Sequence, residues 1–166
     1  FLQESLNWTT KASSGTLVLV GIIAIIVQGG LIGPLVKQFG EMRLTLIGSG
    51  FILVACALLI TTPKENATIN IYSAVSFLAV GAGLITPTLR ALISKKLDVD
   101  KQGSILSNLQ GLQSLGGVLG IAMAGRVYDS FGPKSPFIAG SFILLFMIYL
   151  IAEGKNSNSF YNQNQK

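Results

Sequence analysis

Histidine is absent from this sequence of 166 residues, cysteine occurs once, and only 11% of positions are charged. A zinc-type metal site needs several Cys or His ligands, so none is expected. A nucleophile lacks the base partner it would need, so an intramembrane enzyme is not expected either, and no cofactor is implied. Disulfides require a second cysteine. The lone Cys56 lies inside an apolar run, where it reads as a small buried side chain. The seven acidic residues are Glu4, Glu41, Glu65, Asp98, Asp100, Asp129 and Glu153. All of them fall outside or at the ends of the long apolar runs, so this stretch carries no titratable group placed to move a proton through hydrocarbon.

Apolar residues, in contrast, make up 50% of the chain, and the mean hydropathy of +0.61 belongs to a membrane class. Crossing about 30 Å of hydrocarbon takes about 20 apolar residues in a helix. Five runs meet that need, and the expected fold is all-α and integral to the membrane. The spans are 15–36, 44–62, 69–94, 103–125 and 136–152. Residues 1–14 are mixed and polar, and no cleavable leader is expected there. Trp8 suits an interfacial anchor, and Ser13 or Ser14 suits the cap of the first helix. Residues 153–166 lack apolar periodicity and are expected to be disordered. The triplet Asn66-Ala67-Thr68 fits a glycosylation sequon but reads as chance.

The basic residues are distributed unevenly. One side of the bilayer receives Lys37, Arg43, Arg90, Lys95, Lys96, Lys101, Lys155 and Lys166, and the other receives Lys11, Lys64, Arg126 and Lys134. The positive-inside bias then puts residues 37–43, 95–102 and the C-terminus in the cytoplasm. That distribution explains the net charge of +5 without invoking nucleic acid.

GPLVKQFGEMRLTLIGS at 33–49 returns as GRVYDSFGPKSPFIAGS at 125–141, an offset of 92 residues. Gly33, Phe39, Gly40, Gly48 and Ser49 align with Gly125, Phe131, Gly132, Gly140 and Ser141 without a gap. Each copy ends one span and starts the next, so Gly40 and Gly132 read as left-handed helix caps. Ser135 and Pro136 read as an N-cap and a first-turn residue. Because the copies lie three spans apart, they face opposite sides of the bilayer. Inverted three-helix repeats of this kind are a building plan of secondary transporters.

Both copies resemble the loop motif of the major facilitator superfamily. WTTKASSGTLVLVGIIAIIVQGGLIGPLVKQFGEMRLTLIGSG is similar to helices eight and nine of its tetracycline-type drug:proton antiporters. VGAGLITPTLRALIS and GSILSNLQGLQSLGGVLGIAMAGRVYD resemble helices ten and eleven, and the likeness covers residues 7–152. The resemblance implies most of a six-helix C-terminal half-bundle, with residues 1–14 as the end of helix seven and an outer loop. The N-terminal half, with any coupling carboxylate, would lie upstream. It further implies proton-coupled efflux of small amphiphilic compounds or drugs through the cell (inner) membrane, with a lipid bilayer and protons as partners. A nutrient carrier of the same fold and a non-transporting membrane scaffold stand as alternatives. The family uses an acidic loop residue and nearby arginine as a gate latch. Here that acidic position is Lys37 in the first copy, with only Arg43 keeping the basic end, and Asp129 in the second copy, with Lys134 further along; Arg126 is counted among the gating residues.

Polar residues inside the spans are the candidates for a substrate path. Gln110, Gln113, Ser114 and Gly117 stand at i, i+3, i+4 and i+7 on one helix face. They either line a cavity or hydrogen-bond neighbouring helices. Ser73, Ser76, Gly83, Pro87 and Arg90 share a face of the third span. Pro87 is expected to bend that span, as a hinge or a fixed kink. Arg90, near the cytoplasmic end, is expected to snorkel or to complement the negative helix end. Gln28 is the lone amide of the first span, a cavity or packing contact. Glycines 29 and 33, and 116 and 120, form small-xxx-small pairs expected to pack.

Overall fold

The computed structural model describes residues 10–62, 67–95 and 99–163, with side chains for 14–62, 68–95, 102–151 and 153. Trp8, Asn66 and the residues expected to end helix seven lie outside the described residues. The chain is all-helical in that range. Its elements are α1 (Thr10–Ile26), a π-helical turn (Val27–Leu31), α2 (Ile32–Phe39), α3 (Glu41–Thr61), α4 (Ala67–Ser94), α5 (Val99–Phe131) and α6 (Ser135–Gln163).

Each of the five expected spans is helical. Three helical stretches are long and apolar enough to cross a membrane: 14–39, 41–61 and 68–94. The apolar part of α6, Ser135–Ile151, is shorter. In α5 the serines, amides and glycines between Gly103 and Gly125 dilute the apolar character of a helix that is otherwise the longest described.

Several edges differ from expectation. The first helix is already formed at Thr10, so Ser13 and Ser14 sit inside it rather than capping it. The backbone of α6 runs to Gln163, where disorder was expected from 153 onward. Extending a formed helix needs no new nucleus, and no proline interrupts this stretch. The first span also contains a register slip that periodicity did not reveal. Ile32 N–H reaches the carbonyl of Val27, five residues back. Pro34 explains the position, because its ring would clash with the carbonyl of Gly30 and it has no N–H to donate there. The Gly29-Gly30 pair lets the backbone widen.

The core lies where α1, α2, α3 and α4 meet. Val27, Leu44 and Leu84 are buried at its centre, with Ile23, Leu35, Phe51 and Val80 packed around them. Cys56 is buried, as expected. The closest approach of helices is between α3 and α4. A Cβ added to Gly81 would stand 2.6 Å from the Gly48 carbonyl oxygen and 2.6 Å from Ile52 Cγ1. The expected small-xxx-small pairs do not fill this role, since a Cβ at Gly29, Gly33, Gly116 or Gly120 would meet nothing within 4 Å. Spacing marks a smooth helix face, but only the packing decides which smooth faces meet.

The two repeat turns share a positive-φ glycine, but one residue separates α2 from α3 whereas three separate α5 from α6. Gly40 and Gly132 have φ of 75° and 90°. Each donates its N–H to the carbonyl four residues back, Val36 and Tyr128, at 2.9 Å in both cases. At Gly40, ψ is 157°. That is an extended mirror conformation open essentially to glycine alone, rather than the left-handed helical cap that was expected. Ser135 also departs from its expected N-cap role. Its single hydroxyl proton points backward, with Gly132 O at 2.6 Å and Val127 O at 2.8 Å both in reach.

Candidate functional site

α4 and α5 bring a charge and two amides together. Arg90 sits four residues before the end of α4, and its Nη2 donates to Gln110 Oε1 and, at 3.3 Å, to Gln113 Oε1. A guanidinium can only donate, so both amide oxygens must face it and both amide NH2 groups turn away. The only ion pair among the described residues is Lys95 with Glu41, which leaves Arg90 without a carboxylate partner among them. Ala91, Ser94 and Leu106 join Arg90 and Gln110 around a cleft of about 310 Å³.

The polar face of α5 continues beyond this contact. Every residue from Gln110 to Met123 is exposed, including Gln113, Ser114 and Gly117. Ser114 satisfies its hydroxyl locally, donating to Gln110 O at 3.0 Å. On α4, Pro87 stands within unbroken α-helix. It removes the N–H that would reach Gly83 O. Gln28, in the π turn, approaches Gly83: a Cβ there would lie 3.9 Å from Gln28 Nε2.

Ser73 and Ser76 belong to a different cleft, of about 470 Å³, shared with Phe51, Tyr72, Phe77 and Val80. Ser76 donates to Tyr72 O at 2.7 Å. The rings of Phe51 and Phe77 stack with centroids 5.7 Å apart and planes 23° apart. The common stripe of α4 is therefore divided: its N-terminal serines face α3, and only Arg90 meets the glutamines of α5.

At the end of the bundle holding the Gly40 turn, Lys95 Nζ donates to Glu41 Oε1 and ties the start of α3 to the end of α4. Neither residue was singled out from sequence as a latch. Lys37 and Arg43, which were, are exposed, and so are Arg126 and Asp129 at the end of α5. Among the described residues none of these four is ion-paired. A second missed feature is the buried contact between Thr45 and Thr88, whose hydroxyl oxygens are 3.0 Å apart. Two threonines 43 residues apart carry no sequence signal that they will meet.

Among the described residues every long element is a helix and three helical stretches are of membrane length, as in a multi-pass membrane protein. The chain belongs to the Major Facilitator Superfamily, whose family profile matches residues 1–121. It is 25% identical over 128 residues to the tetracycline resistance protein, class C, of Escherichia coli, covering 77% of this chain and 31% of that protein. With the class G tetracycline resistance protein of Vibrio anguillarum it shares 29% over 126 residues, covering 71% of this chain and 30% of the relative. The human Hippocampus abundant transcript 1 protein is 23% identical over 131 residues, 79% of this chain and 26% of its own length. The chain thus spans between about a quarter and a third of the length of these relatives. No solved structure matches it. Members of the family are transporters.

Proposed function

We propose that this chain is the C-terminal half of a proton-coupled efflux carrier for small amphiphilic compounds, working by alternating access. Five helical spans of a six-helix half-bundle then form one wall of the path, with α5 facing the other half. The observation that carries the reading is the exposed polar face of α5, Gln110, Gln113 and Ser114, in a chain similar to tetracycline resistance proteins. A stripe of amides facing lipid is costly, whereas facing a wet path or another helix it is satisfied. Residues 37–43, 95–102 and the C-terminus lie in the cytoplasm on this reading, and the Gly40 and Gly132 turns flank the two ends of the path. The coupling carboxylate resides in the other half on this reading, since the acidic residues of this sequence lie outside or at the ends of its apolar runs.

The test is reconstitution of the full-length gene product in proteoliposomes carrying an imposed pH gradient. Gradient-driven movement of tetracycline or ethidium is expected, abolished by an uncoupler and changed by Gln113→Leu. Accumulation of a sugar or amino acid instead would mark a nutrient carrier. No transport of any solute, with a stable partner complex, would favour a scaffold.

A further inference from the structure

We propose that Arg90, Gln110 and Gln113 form a binding site for an organic anion, a small amphiphile whose head is a carboxylate or a phosphate. A guanidinium carries five N–H groups and no acceptor. Only Nη2 is engaged, on the oxygens of Gln110 and Gln113, and among the described residues neither Nη1 nor Nε has a hydrogen-bond partner. Because both amide oxygens are turned to the arginine, each glutamine presents its NH2 outward. The cluster therefore offers the adjoining space N–H donors and a positive charge, joined by the Ser94 hydroxyl, which can donate or accept.

A positively charged surface with donors in excess repels cations and leaves neutral acceptors as weak partners. It suits a group with several lone pairs and a negative charge, which a planar guanidinium grips bidentately. Glu41, the acid that packs against the end of α4, is engaged by Lys95 and does not fill the role. Of the remaining walls, Ala91 and Leu106 are apolar and Ser94 carries a hydroxyl. A cleft of about 310 Å³ holds a small ring or short chain beside the anionic head. The place of this site in a transport cycle rests on the carrier reading above; the binding itself does not.

The probe is benzoate, with neutral benzamide as its control, titrated calorimetrically into the full-length protein in phosphatidylcholine nanodiscs. Benzoate is expected to bind at least about tenfold more tightly than benzamide, roughly 1.4 kcal/mol. Arg90→Gln is expected to erase that preference, and Arg90→Lys to retain part of it. Gln113→Leu keeps the charge and is expected to weaken benzoate several-fold; it decides the matter if Arg90→Gln does not fold. A second arm counts phosphatidylglycerol against phosphatidylcholine retained by the protein in native mass spectrometry. Arg90-dependent retention of phosphatidylglycerol without benzoate binding upholds the anion site and identifies its occupant as a lipid headgroup. Wild type and Arg90→Gln behaving alike toward both anions would overturn the proposal and leave Arg90 as a tether between α4 and α5. Anion binding without gradient-driven transport would keep the site and remove the carrier reading; transport with no Arg90-dependent binding would do the reverse.

Discussion

Thr45 of α3 and Thr88 of α4 are both fully buried, with their hydroxyl oxygens 3.0 Å apart. Each also has a carbonyl of its own helix in reach, Glu41 O at 2.9 Å and Leu84 O at 2.6 Å. Thr88 gives its proton to Leu84, which leaves its lone pairs free to accept from Thr45. The pair joins the two helices by a polar contact with no water required, one residue after Pro87 has removed a main-chain donor. A double-mutant cycle with Thr45→Val and Thr88→Val should show a coupling energy of about 0.6–1 kcal/mol in detergent. Strictly additive losses would mean that the two hydroxyls serve only their own helices.

The crossing of α3 and α4 depends on two absent side chains. A Cβ at Gly81 meets main-chain oxygen and the Ile52 side chain at 2.6 Å. Main chain cannot rotate away, so Gly81→Ala should lower stability by about 1–3 kcal/mol through overpacking. Gly116→Ala, where a Cβ meets nothing within 4 Å, is the matched control. Thermal unfolding of the two variants should separate clearly, and equal melting would refute the close crossing.

The helices of this chain were legible because apolar runs of membrane length tolerate few other structures, and the turn glycines because little else adopts their backbone. The register slip at Val27–Leu31 was less visible: a periodicity of 3.6 averages over one wide turn. Gly29-Gly30 followed by Pro34 was the available signal. What hydropathy could not supply is which faces meet. Leucine toward lipid and leucine toward a helix read alike, so Gly48 and Gly81 were missed while Gly116 and Gly120 were favoured. The polar candidates shared helix faces in the sequence, but faces are not cavities. Ser73 and Ser76 turn to Phe51, and only Arg90, Gln110 and Gln113 converge. The Glu41–Lys95 pair bridges 54 residues and lay outside any motif spacing.

The turn glycines can be ranked against each other. Both have positive φ, with open space where a Cβ would stand, so any penalty is conformational rather than steric crowding. Gly40→Ala and Gly132→Ala should each cost about 1–2 kcal/mol. Asparagine, which tolerates left-handed backbone, should be the milder replacement only where ψ is compatible. At Gly40, with ψ of 157°, Gly40→Asn is expected to be no better than Gly40→Ala. A stability scan over these variants that found asparagine restoring wild-type melting at Gly40 would contradict the backbone described for that turn.

On the proposed carrier reading the two turns lie on opposite faces of the bilayer, because α3, α4 and α5 would each cross it once between them. The ion pair of Lys95 with Glu41 agrees with it, since it joins the segment after α4 to the Gly40 end of α3. Cys56 is buried, so a Cys56→Ser background should be tolerated and free of label. In that background, Gln38→Cys and Ser130→Cys probe residues that are both exposed. A membrane-impermeant maleimide applied to intact cells should modify the cysteine at 130 and spare the one at 38, and permeabilisation should expose the second. The positive-inside distribution sets this direction, with Lys37, Arg43 and Lys95 on the cytoplasmic side. Labelling of both positions from outside would mean that one of the three passes does not cross, and the inverted repeat would fall with it.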